Sequence, residues 1–131
     1  MGQQQLLLII LGVIVVGIAV AVGITMFSDS AISANRDAVT NDLVNLSSRA
    51  QQYYRRPTSL GGGGNKFDGL TDISQLTNKP TNANGSYTLS GGTGSGPITI
   101  KGYGTELGSN GNVVEVWATV YANTDSIVVK N

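Results

Sequence analysis

Hydrophobic and polar positions change their spacing twice along this chain. Residues 6–27, LLLIILGVIVVGIAVAVGITMF, carry no charge, and Thr25 is their one polar side chain. The residues just before them, Gln3, Gln4 and Gln5, are neutral, and the first charge is Asp29. At ~1.5 Å per residue a helix over 6–27 covers roughly 33 Å, about the hydrocarbon thickness of a bilayer. From 28 to 56 the pattern becomes amphipathic. Ile32, Val39, Leu43, Leu46, Ala50 and Tyr53 recur at helical spacing on one face, while Asp29, Arg36, Asp37, Asp42 and Arg49 occupy the others. Neither Pro nor Gly interrupts residues 24–56, and Pro57 ends the helix because the residue before a proline is pushed out of the α region. One helix over about 3–55 is therefore predicted, roughly 80 Å long. Its lower half can lie on a small domain. Its upper half must project into a membrane or among neighbouring molecules.

After Asn84-Gly85 the period falls to two. Tyr87 and Leu89 alternate with polar neighbours in 86–90, as do Ile98 and Ile100 in 97–103. Val114, Val116, Ala118 and Val120 alternate in 113–121, and Ile127 and Val129 in 126–130. Turn-forming stretches rich in Gly, Asn, Ser and Thr separate these runs. Four short strands in an antiparallel meander are expected, with one apolar face. The natural cover for that face is the Ile32-to-Tyr53 stripe, because four strands alone bury too little to be stable. The fold class is α+β, with a hydrophobic segment over 1–28 and a small domain over 29–131. That domain divides into an amphipathic helix (29–56), a glycine-rich loop (57–85) and a sheet (86–131). Gly61 to Gly64 read as a linker or wrapping loop. Residues 71–76 read as one helical turn with Thr71 as its N-cap. On the outer face of the third strand, Trp117 and Tyr121 are candidate surface contacts, either exposed or covered by a glycine-rich loop.

Composition narrows the function. The chain has no Cys and no His, so thiol nucleophiles, disulfides and the usual zinc sites are excluded. Charged residues make up 12% and the formal net charge is zero, which argues against a nucleic-acid partner. No constellation of carboxylates suggests catalysis, and no cofactor is implied. Asp68 with Asp72, or Asp125 with nearby backbone carbonyls, offer weak cation ligands, and a solvated surface explains them better. Arg55-Arg56 after Tyr53-Tyr54 fit the C-terminal end of a helix, where cations complement the dipole. Asn45-Leu46-Ser47 and Asn84-Gly85-Ser86 match the N-glycosylation acceptor pattern.

The apolar segment admits three readings: a cleaved secretory signal, a plain membrane anchor, or a helix that first sits in a membrane and later packs against copies of itself. A cleaved signal would carry a basic stretch before a shorter apolar core. The third reading is favoured by small residues at Gly12, Gly17, Ala19, Ala21 and Gly23. The pairs Gly17/Ala21 and Ala19/Gly23 are each four apart, as in helices that approach closely in lipid.

An uncharged apolar N-terminal helix, its amphipathic continuation, a loop and a four-stranded antiparallel sheet together resemble the type IV pilin and pseudopilin family. The resemblance implies a pilin-like fold and a structural, non-enzymatic subunit of an extracellular filament at the cell surface. Such a subunit is held in the inner membrane before assembly, and its partners are copies of itself, an assembly machinery and a prepilin-type peptidase that cuts after a glycine. By that analogy Leu6, Leu7, Ile10, Val13, Val16, Gly17, Val20, Ala21, Ile24 and Phe27 pack the filament core. Gln3, Gln4 and Gln5 make polar contacts at its end, and Ile32, Val39, Leu43, Leu46 and Tyr53 join helix to sheet. The family usually has Glu at the fifth position of the mature chain. Here that position is Gln5 if Met1 is the mature terminus, or Leu7 if cleavage follows Gly2. The family's helix-breaking proline is also missing from 6–27. The alternatives are a minor pseudopilin of a type II secretion-like machine, or a membrane-anchored binding module.

Overall fold

The computed structural model describes residues 2–131. One helix, α1, runs from Gly2 to Arg55 without a break. Four antiparallel strands follow: β1 (Gly85–Gly91), β2 (Ile98–Leu107), β3 (Val113–Val120) and β4 (Asp125–Val129). They form one sheet in the order β1-β2-β3-β4, a meander in which each strand pairs with the next in sequence. This is an α+β fold in which a long N-terminal helix packs on a four-stranded antiparallel sheet.

The inner face of the sheet lies against the lower half of α1. Val39, Leu43, Leu46 and Ala50 are buried there, each three or four residues from the next. They meet Tyr87, Ile98, Ile100, Val114, Val116, Ala118 and Val120, while Ile32 and Tyr53 pack at the margins. Ser47 is the one buried polar residue on this face, and its hydroxyl donates to the Leu43 carbonyl at 2.8 Å. The bottom of the core is closed by the wrapping segment, which buries Phe67, Leu70, Ile73 and Leu76. Phe67 packs on Tyr54 with ring centroids 4.8 Å apart.

Two close approaches fix the helix on the sheet. Val39 touches β2 at Gly102, where a Cβ would lie 2.7 Å from its methyl group. Higher up, β2 is irregular between Tyr103 and Leu107, and Asn35 of α1 reaches into that irregularity. The Asn35 side-chain carbonyl accepts from the backbone N–H of Thr105 (3.1 Å) and Glu106 (3.3 Å), and its amide donates to the Asn84 carbonyl (2.8 Å). Backbone groups left unpaired by the bulge are thereby satisfied from the helix.

The segment between helix and sheet is better ordered than a glycine-rich linker would be. Gly63, Gly64 and Asn65 donate their backbone N–H groups to the carbonyls of Tyr53, Arg56 and Tyr54. The glycine run therefore caps the C-terminal end of α1, whose last carbonyls have no partner within the helix. A Cβ at Gly62 would lie 2.3 Å from the Arg56 carbonyl oxygen, and one at Gly63 would lie 2.0 Å from that of Lys66. Glycine is required here for contact, not for flexibility. The expected turn over 71–76 is a shorter 3-10 turn, Ile73–Gln75, and its N-cap is Asp72 instead of Thr71. Asp72 accepts from the Ser74 N–H, and the Gln75 side chain accepts from the Asp72 and Thr71 N–H groups. The aspartate, not the threonine, thus completes a capping box.

Candidate membrane and assembly surface

The upper half of α1 touches nothing else in the chain. Every described residue through Ser30 is exposed, and none of the apolar stretch is buried. Phe27 is 79% exposed and Val16 62%, values that packing against the head would have reduced. The rod's one hydroxyl is internally satisfied, since Thr25 Oγ1 donates to the Ala21 carbonyl at 3.0 Å. The rod therefore offers lipid, or another helix, an apolar surface with no unpaired side-chain donor.

The ten residues expected to pack a filament core all lie on this surface. They share it with Leu8, Ile9, Leu11, Ile14, Val15, Ile18, Val22 and Met26, which are as exposed as they are. The isolated chain therefore selects no preferred face by exposure. The glycines do add an asymmetry. A Cβ at Gly12, Gly17 or Gly23 would meet nothing within 4 Å. Each glycine in a helix interior costs about 1 kcal/mol relative to alanine. Nothing inside this chain needs these three to be glycine. At 100° per residue, Gly12, Ala19 and Gly23 fall within roughly 40° of one another, a stripe of small residues along the rod. Gln3, Gln4 and Gln5 form exposed first turns of the same helix, and Gln4 borders Leu7, Leu8 and Leu11. Met1 lies outside the described residues, so the question of the mature terminus does too.

The head holds the titratable chemistry. Asp42, on α1, accepts three hydrogen bonds on one carboxylate oxygen: from the Tyr87 hydroxyl at 2.5 Å, Asn84 at 3.0 Å and Asn82 at 3.1 Å. Burial pushes the Asp42 carboxyl up, but the bonds from Tyr87, Asn84 and Asn82 together outweigh it and leave its pKa below the ordinary 3.8. Burial, followed by the hydrogen bond to Asp42 and its negative charge, pushes the Tyr87 hydroxyl well above the ordinary 10.0. This cluster ties α1 to β1 and to the segment before it. Nothing in the sequence marked it, because its members lie forty residues apart.

Other sequence candidates resolve as structural parts. Asp68 accepts from the Gly94 N–H, and Asp72 caps its turn. Among the described residues no group of three or more His, Cys, Asp or Glu side chains is placed to hold a metal ion. Arg55 at the helix end donates to the Asn123 side chain at 3.4 Å. Of the two glycosylation-type triplets, the first lies inside α1 with its Ser47 buried, and in the second Asn84 is bonded to Asp42. Trp117 is half-buried on the outer face of the sheet and Tyr121 is exposed just beyond β3. The loop after β1 lies against Phe67, whose N–H donates to the Gly94 carbonyl at 2.9 Å.

Comparison with protein-family models, with curated proteins and with solved structures gives no match for this chain. The functional reading therefore rests on the geometry alone.

Proposed function

We propose that this protein is a structural subunit of an extracellular filament of the type IV pilus kind, held in a membrane by its N-terminal helix before assembly and polymerising through that helix afterwards. One observation carries the reading. A single helix of 54 residues is continuous from a folded head into a fully exposed apolar rod, so the rod's orientation is set by the head that anchors it. A plain membrane anchor needs no such rigid coupling. Rods gathered out of lipid gain no further hydrophobic transfer, so their association rests on close van der Waals packing of one apolar helix against the next. The three glycines that the chain does not itself require support the same reading, because small residues let helix backbones approach closely.

Neither Gln5 nor Leu7, the two positions where the resemblance would put an acidic residue, is ionisable, so the proposed association needs no ion pair within the rod. Association then depends on packing and on amide hydrogen bonds at the polar end. The test is negative-stain microscopy of material sheared from the surface of expressing cells, with immunodetection of this chain. Filaments containing it are expected. Recovery of the protein only as dispersed membrane monomers would refute the proposal.

A further inference from the structure

The face of the sheet turned away from α1 is built unlike the rest of the surface. The strand register places its side chains in rows that cross the sheet. One row is Thr88, Lys101, Trp117 and Val128, from β1 to β4. The row beside it, one pleat towards the bottom of the head, is Ser90, Thr99, Thr119 and Ser126. All four of those residues carry hydroxyls, and all are exposed or half-exposed. With strands ~4.8 Å apart, the hydroxyl row extends about 14 Å.

Fixed charge lies in the first row, at Lys101, and just beyond the end of β4, at Lys130. Lys101 Nζ stands 4.3 Å from the centre of the Trp117 ring and Lys130 Nζ stands 4.7 Å from it. The indole thus holds two ammonium groups within about 9 Å of each other. The indole N–H donates to Glu115, which orients the ring and offsets one of the two charges. A platform for nucleic acid would need a continuous basic stripe, which this is not. Here a compact net positive charge adjoins a ladder of neutral donors and acceptors.

We propose that this outer face binds an acidic polysaccharide, with the Lys101–Lys130 pair meeting a sugar carboxylate and the Ser90–Thr99–Thr119–Ser126 row bonding sugar hydroxyls. Charge complementarity selects the anionic polymer, and the hydroxyl ladder selects a sugar. The inference does not depend on filament formation, because the face lies opposite α1 within a single subunit. The test uses the full-length protein in detergent, with polygalacturonate as probe and neutral dextran of matched length as control. Binding to polygalacturonate that weakens as salt is raised is expected. The double variant K101Q/K130Q should lose about tenfold in affinity, and T99V/T119V a smaller, salt-insensitive fraction, with head unfolding unchanged for both. Equal binding of dextran, tighter binding of duplex DNA than of polygalacturonate, or undiminished binding by K101Q/K130Q would each overturn the assignment.

Discussion

The two halves of α1 share one backbone and differ in what surrounds them. In residues 6–27 every large apolar side chain is more than half exposed. In the lower half, Val39, Leu43 and Ala50 are fully buried, and the polar residues that face the sheet, Asn35, Asp42 and Ser47, are each hydrogen-bonded. The lower half is held by its own chain: the sheet packs on it, Asn35 locks its height, Asp42 ties it to β1, and Gly63 to Asn65 cap its end. The upper half has none of these. Its helix is maintained by propensity, by continuity with the anchored part and by whatever surrounds it outside the chain. An element with a uniform pattern and no internal partner is specified for an environment, whereas one with a striped pattern is specified for a particular neighbour.

The sharpest way to break that contrast is to place a charge in the upper half. Val16→Asp should abolish filaments while leaving the chain in the membrane, because an aspartate at the centre of an apolar helix costs about 3 kcal/mol in every subunit. Gly17→Arg should do the same. Fractionation and microscopy of expressing cells would check both, and the head of each variant should still unfold as the parent does.

Next in size is a cavity in the lower half. Leu43→Ala should cost the head about 2–5 kcal/mol, read from urea unfolding of the detergent-solubilised chain. The same change in the rod, Leu11→Ala, should leave that transition unmoved. Equal effects from the two would show that the halves are not independent.

A smaller effect comes from the polar tie. Asp42→Ala should cost the head about 2 kcal/mol, since it leaves Tyr87, Asn82 and Asn84 without their shared acceptor. The pH dependence follows from the direction of the shifts. The Asp42 carboxyl is more acidic folded than unfolded, so its contribution is present above pH 3.8 and is lost as pH falls below it. The Tyr87 hydroxyl is less acidic folded than unfolded, so its contribution is present below pH 10.0 and is lost as pH rises beyond it. Unfolding followed from pH 2 to 11 should show both limbs in the parent, with the acid limb flattened in Asp42→Asn. Rod association should stay level over the acid range and in high salt, because residues 2–28 hold no ionisable side chain. Dissociation of filaments on moderate acidification would show that the heads carry the decisive contacts.

The smallest expected change is Gln5→Ala. It removes one amide from the polar end of the rod and should weaken assembly only modestly, seen as a raised critical concentration in reassembly from detergent.

Spacing along the chain was enough to determine the helix and the four strands. A helix and a strand each impose a period on their apolar residues, and residues 32–53 and 86–130 obey those periods without ambiguity. It also determined that residues 6–27 have no partner in their own chain, because a uniformly apolar rod leaves no polar face to turn towards solvent. Tertiary structure decided what spacing does not encode. The glycine run at 61–64 looked like slack chain and is a tight cap, since the carbonyls it satisfies become accessible only once the helix ends there. Thr71 and Asp72 are both good caps locally, and the fold chose Asp72 by burying Ile73. The Asp42–Tyr87–Asn84 tie, the seat of Asn35 in the β2 bulge and the two lysines on Trp117 each join residues distant in sequence. Such contacts arise from how the sheet lies on the helix and how its strands are registered, and periodicity within a single element carries no information about either.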